Sequence, residues 1–398
     1  MVGTTTYCSS LYINHKRKLN ILRNHFITFR YLCHRKMNIM YLTLTTNVLV
    51  TLLLLLPSPT NPKQIPVPVL ASPTNPKQIP IPAVYVFGDS LVDSGNNNYL
   101  PIESSAKFLP YGIDFGGKPT GRCTNGKTVV DYLAIHLGLP FIPPYLGLTK
   151  IQRHKIKTGI NFASAGSGIL PETNSNLSLP LDKQIKLFEK FIKNNLPNMF
   201  ADKVERHLSE SLFVVSTGVN DHFTATRNFR GSRKFDSYLL KEFSLRIQKM
   251  YSLGVRRVFV NNLPPAGCFP SRAAKSRPIG ECNEKINRAI SIYNSHLPNL
   301  LGKLQSQLPD FTFIHSDLYE HLIGLRKTGY KYGISEIWRP CCPNSISGDL
   351  ICHPYNATCE NRNNHIFFDD HPSQMANHIY ARHCFVEKTI CKSSGIMM

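Results

Sequence analysis

Residues 83–90 read AVYVFGDS, five apolar or aromatic residues that run straight into Gly88, Asp89 and Ser90. A run this short, apolar on both alternating faces, predicts a buried strand, and its abrupt polar end predicts the point where the chain leaves the sheet. Four more runs share the pattern: GINFASAG (159–166), SLFVVSTGVND (211–221), RRVFVNNLPP (256–265) and FTFIHSD (311–317). Helical spacing fills the gaps between them. Lys127 to Leu137 stops at Gly138, and Asp236 to Leu253 sets Leu239, Phe243, Ile247 and Met250 on one stripe before Gly254. Asn283 to Gln307 reads as a further helical stretch, broken at Pro298. Strands alternating with helices imply a parallel sheet covered on both faces, an α/β architecture.

In open sheets of this kind ligands sit beyond the carboxyl ends of the strands. The first three runs each end in a small or polar cluster: Gly88-Asp89-Ser90, Ala165-Gly166-Ser167-Gly168 and Gly218-Val219-Asn220-Asp221. All three are expected on one rim.

The flanks set the context. From Ile39 to Leu56 the chain reads IMYLTLTTNVLVTLLLLL after Arg35 and Lys36, the pattern of a signal peptide, and Met37 as the working start is one simple explanation of the basic segment before it. The stretch is nearly long enough to span a bilayer, so a retained anchor is the competing reading. The tandem SPTNPKQIPVP (58–68) and SPTNPKQIPIP (72–82) is too proline-rich to join a sheet and reads as a linker. The expected organisation is therefore an N-terminal extension with signal peptide or anchor (1–57), a linker (58–82) and one globular domain (83–398).

Residues 1–57 hold seven of the 46 Lys and Arg and none of the 25 Asp and Glu, leaving 39 basic against 25 acidic residues beyond them. That excess is spread along the chain without a basic run interleaved with aromatics. It reads as a solvated basic surface, and a nucleic-acid partner is not expected. Nine of the 11 cysteines lie beyond the apolar segment, as expected for an oxidising compartment. Cys268 with Cys282, and the group Cys341, Cys342, Cys352 and Cys359, are candidates for bridges of undetermined connectivity. An adjacent Cys pair lacks the separated knuckles of a zinc site, and an odd count leaves at least one thiol over. Asn176-Leu-Ser178 and Asn356-Ala-Thr358 are glycosylation sequons consistent with secretion.

Three clusters carry candidate chemistry. Ser90 lies within FGDSLVDSGNNN at a strand-to-helix turn that can present a hydroxyl, although a serine there also serves as an N-cap. A serine nucleophile needs a base and a group that orients the base. No Gly-x-Ser-x-Gly elbow is present. IFFDDHPSQMANHIY supplies His371 before Pro372, with Asp369 and Asp370 beside it. An oxyanion needs donors already aimed at it, and the Gly166 N–H and the Asn220 side chain are suited to that task, unless they only form turns.

From about Ala83 to the end, these residues resemble the plant GDSL esterase/lipase group of the SGNH hydrolase superfamily. Ser90, Gly166, Asn220 and His371 match its four letters in order. PYGIDF (110–115), PTGRCTNGKTVVDYLA (119–134), GVRRVFVNNLPPAGC (254–268) and the Cys pair at 341–342 match further. The resemblance implies a three-layer α/β/α sandwich around a mostly parallel, flavodoxin-like five-stranded sheet. It implies Ser90 as nucleophile, His371 as base and then acid, an aspartate orienting it, and an oxyanion hole from the Ser90 and Gly166 N–H groups with Asn220. Neither a metal nor an organic cofactor is implied.

One departure stands out. The family spacing Asp-x-x-His would place the acid where this chain has Phe368, so Asp369 is expected to reach the imidazole through a rearranged loop, with Asp370 as the alternative. The expected function is a secreted, extracellular esterase or lipase acting on acyl lipid, cutin-like or acetylated wall esters. The competing reading is a catalytically weak secreted binding or accessory protein that keeps the fold. Oligomeric state, and specificity in the loops Tyr99 to Ile113 and Leu170 to Leu181, have no sequence signal.

Overall fold

The computed structural model of the protein describes residues 81–102, 106–225, 232–342, 352–354 and 357–396. The apolar N-terminal segment, the proline-rich repeat up to residue 80 and the Asn356 sequon lie outside the described residues. Five strands form one sheet in the order β1 (Val84–Gly88), β2 (Leu212–Ser216), β3 (Arg257–Asn261), β4 (Thr312–Ser316) and β5 (Cys391–Ser393). The first four are parallel and β5 pairs antiparallel with β4. β1 and β2 are buried along their whole length, as their two-sided apolar pattern requires.

The helices that matter here are α1 (Val129–His136), α2 (Leu181–Asn194), α3 (Val219–Thr224), α4 (Arg233–Ser252), α5 (Pro270–Ala273), α6 (Glu284–Gln307), α7 (Leu318–Thr328) and α8 (Gln374–Ala381). α2 packs on α4 and α4 on α6, while α1 packs on α8 and α8 on α7, which makes two sets of helices around the sheet. Two helical layers thus enclose the sheet. The core between the sheet and α2 is aromatic: Tyr85 stacks on Phe213 at 5.0 Å between ring centroids, and Phe87 on Phe162 at 5.3 Å.

Two expectations need correction. Residues 159–166 do not form a continuous strand of the sheet, although they run parallel beside β1. Val86 N–H donates to Ile160 O, Phe162 N–H to Val86 O and Ser164 N–H to Gly88 O, at 2.7–3.0 Å. The ladder is interrupted because Gly88 N–H, which would donate to Phe162 O as the next rung, goes to the Gln184 side-chain oxygen instead. The sheet's fifth strand is β5, a three-residue piece with no periodic pattern to betray it.

The second correction is α6, which runs unbroken through Pro298. A missing helical N–H costs about 3 kcal/mol. Burial of Leu297, Leu301 and Leu304, each at most 1% exposed, contributes about 2 kcal/mol apiece. The apolar stripe outweighs the proline.

The rim is tied to the helical layer by a buried ion pair. The Arg122 guanidinium meets the Asp131 carboxylate at 2.8 and 2.7 Å and donates to Ser94 O, joining the loop after Ser90 to α1. Both side chains are nearly inaccessible, at 6% and 2% exposure. Arg122→Ala leaves the carboxylate buried without its counter-charge and is expected to cost about 3–5 kcal/mol, read as a lowered urea midpoint with an unchanged slope.

Candidate active site

Three strand ends build the site. At the end of β1, Gly88 has φ +146°, and a Cβ there would stand 2.1 Å from Ser216 O, so only glycine lets the two strands stay paired while the chain turns. Gln184 of α2 fixes this turn from below, accepting from Gly88 N–H at 2.9 Å and donating to Gly88 O at 2.9 Å. Ser90 follows, partly exposed.

The segment carrying the imidazole is a tight hairpin. Phe368 N–H donates to His371 O at 2.9 Å, and Phe367 bridges Pro372. Within it Asp369 closes an Asx-turn: its Oδ1 accepts the His371 backbone N–H at 2.8 Å. The same oxygen lies 2.8 Å from His371 Nδ1, while His371 Nε2 lies 2.8 Å from Ser90 Oγ. With its proton on Nδ1, facing the carboxylate, the imidazole turns a lone pair toward the hydroxyl. The two-residue spacing therefore delivers the carboxylate, because one Asp oxygen can serve both the backbone and the ring of the residue two positions on.

Asp370 takes a different task. Its carboxylate accepts from Ser271 N–H and Ser271 Oγ at the start of α5, so it orients no histidine. Phe368, at the position where the family spacing would put an acid, is fully buried against Tyr111, with ring centroids 5.7 Å apart.

Electrostatics follow from this burial. Enclosure disfavours charge on His371, but Asp369, through its charge and hydrogen bond, with Asp370 and Asp89 behind it, outweighs that and raises the imidazole above its usual value. Asp89, buried beside it, has its carboxyl pushed up to about 7 by desolvation, against the Leu91 N–H that favours its charge.

The expected oxyanion donors lie on the adjoining loops. Gly166 sits at φ +82°, and neither its N–H nor that of Ser90 has a hydrogen-bond partner among the described residues. Gly168 does a different job: a Cβ there would stand 2.5 Å from the Asp221 carboxylate, so its bareness serves packing. Asn220, in the first turn of α3, spends one Nδ2 proton on Ser167 O at 2.9 Å, which leaves the amide's second donor and fixes its plane. Ser167 Oγ in turn donates to Gly88 O at 2.7 Å, linking all three clusters.

The sequence matches the family model for GDSL-like Lipase/Acylhydrolase over residues 84–384. The chain belongs to the GDSL-like lipase/acylhydrolase family, and with it to the carboxylic ester hydrolases. Among relatives of this GDSL protein is the Arabidopsis thaliana GDSL esterase/lipase At2g04020, 40% identical over 318 residues, covering 78% of this chain and 86% of that one. GDSL esterase/lipase 7 of the same plant is 36% identical over 320 residues, covering 76% and 87%.

Several residues that hold this GDSL site escaped the sequence reading. Tyr111 donates its hydroxyl to Asp369 Oδ2 at 2.5 Å and accepts Cys352 N–H at 2.9 Å. It lay inside the run PYGIDF, without a role. Asn97 bonds Ala165 O and Ser164 Oγ, and Asp93 accepts Ala165 N–H, so both shape the turn at Gly166. Gln184 had a visible signal: it is a lone polar residue on the apolar stripe of Leu181, Ile185 and Phe188.

The quartet of cysteines resolves into Cys341–Cys359 and Cys342–Cys352, beside Cys268–Cys282 and an unforeseen Cys384–Cys391, with Cys123 a buried thiol. Such bridges belong to an oxidising compartment. No helix among the described residues is long and apolar enough to cross a membrane. Asn176 is exposed.

NMR titration of His371 should give a midpoint above the ordinary imidazole value of about 6.5. In Asp369→Asn the leading influence that opposes desolvation is gone, with only Asp370 and Asp89 left against it, and the midpoint should fall from its wild-type value. Tyr111→Phe, which removes one hydrogen bond to a charged oxygen, should lower kcat/KM for a simple ester about tenfold while circular dichroism stays unchanged.

Proposed function

We propose that this GDSL-family ester hydrolase is a secreted serine esterase or lipase that works through an acyl-enzyme formed on Ser90. The observation that carries the reading is the continuous relay from Asp369 through His371 to Ser90, with 2.8 Å at each step. The Ser90 hydroxyl attacks the ester carbonyl as its proton passes to His371 Nε2, and the carbonyl electrons move onto oxygen. The Ser90 and Gly166 N–H groups and the free Asn220 amide proton stabilise that oxyanion. Collapse expels the alcohol, which takes the proton from His371. Water then attacks the acyl-enzyme by the same path, releasing the acid and restoring Ser90. Asp369 orients the ring.

The fit of Asp369 removes the observation that favoured a catalytically weak binding protein. Secretion is supported by the apolar segment 39–56, by the disulfides and by the exposed Asn176 sequon. A single hydrolase domain from about Ala83 is supported by the extent of the family match. The substrate is an ester of acyl lipid, cutin-like polyester or acetylated wall polysaccharide.

Hydrolysis of p-nitrophenyl butyrate tests the mechanism. Ser90→Ala and Asp369→Asn should each lower kcat by about 10⁴-fold or more. The acid limb of the wild-type kcat/KM profile should lie above pH 6.5, because the base is lost as pH falls through a raised imidazole pKa. Undiminished turnover by Asp369→Asn would sink the assignment of the orienting acid.

A further inference from the structure

A cleft of about 700 Å³ opens between α3, α5 and α6, and its lining includes the apolar Phe223, Ile286 and Ile290 and the cationic Arg272, Lys285 and Arg288. No Asp or Glu stands among its described lining residues. Two of its lining residues stand close to site residues in the chain. Phe223 follows Asn220 by three positions on α3, which puts both on one face of that helix. Arg272 follows Ser271, the residue that anchors Asp370 beside His371. The Arg272 guanidinium lies 5.1 Å from the Phe223 ring centroid, and its buried Nε has no hydrogen-bond partner among the described residues. A guanidinium held over an aromatic ring and left with donors to spare is suited to an oxyanion with several acceptor atoms.

We propose that this cleft receives an anionic group, phosphate or carboxylate, on the alcohol side of the scissile ester, so that the preferred substrate is an anionic acyl-ester amphiphile. The alcohol side is indicated because an acyl chain has no charge for three cations to meet. The inference rests on the hydrolase reading of Ser90 and narrows its substrate.

The test uses three esters with one acyl chain, oleoylglycerol, oleoylglycerol phosphate and oleoylglycerate, presented in the same neutral detergent micelles, with p-nitrophenyl butyrate as a neutral reference. Wild-type kcat/KM should favour at least one anionic ester over oleoylglycerol by about tenfold, and added salt should shrink the preference. Arg272→Gln and, on the exposed turn of α6, Arg288→Gln should each reduce that preference while leaving turnover of both neutral esters unchanged. Preference for the phosphate identifies a phosphate group as the ligand, and preference for the glycerate a carboxylate. Equal rates on all three esters, or a preference that survives both substitutions, overturns the cleft proposal and leaves the hydrolase intact. No turnover of any ester, p-nitrophenyl butyrate included, overturns both readings.

Discussion

Everything at the site depends on where the Asp369 carboxylate is held. It is fully buried, and a buried carboxylate must spend its lone pairs on donors. Oδ1 serves the backbone and the ring of His371, and Oδ2 takes the Tyr111 hydroxyl. Burial, then the Asp369 charge, push the Tyr111 phenol well above its ordinary range, so it stays a donor. The hairpin is gripped from outside as well: Cys341 and Cys342 donate their N–H groups to Phe367 O and Phe368 O. The disulfide-bonded segment thus acts on Ser90 at two removes, through the hairpin and then through the imidazole.

The strand ends are joined by the same logic of satisfied buried polar groups. Asp221 accepts from Ile169 N–H, Leu170 N–H and the Thr173 hydroxyl, tying the loop after Gly166 to α3. Asp93 gathers Gly95, Asn96 and Ala165 N–H groups in the same way. Burial nevertheless pushes both carboxyls up to about 6, because three donors only partly replace water around a buried charge. These acids organise backbone; among the described acids only Asp369 faces one nitrogen of an imidazole whose other nitrogen faces a serine.

Much of this was legible before any coordinates. Apolar runs ending in glycine or asparagine mark where β1 and β2 leave the sheet, because only such residues allow the turn. The residues 159–166 share that composition, yet composition cannot reveal that Gln184 takes the Gly88 N–H their next ladder rung needs. β5 is too short to show a period. Tyr111 stands 258 positions from Asp369, and nothing local to either residue announces the pair. Counting Asp-x-x-His treats spacing as geometry, whereas an Asx-turn lets Asp369 reach His371 from one residue nearer. Cysteine pairing was beyond the spacings for the same reason: the fold decides which thiols meet.

The histidines show how the environment, not the residue type, sets the basicity of an imidazole. The chain has fifteen. Of the described ones whose titration is displaced, His136, His207, His315, His321, His378 and His383 are lowered, with desolvation the leading cause in each. A lowered imidazole is neutral at working pH but a poor proton acceptor. His371 feels the same desolvation, and it alone among them has a carboxylate in contact with Nδ1 that outweighs the loss. Its basicity is therefore kept by the hairpin that positions it, so in the proposed mechanism the geometry that aims the ring at Ser90 and the main charge that would let it take the proton come from one side chain.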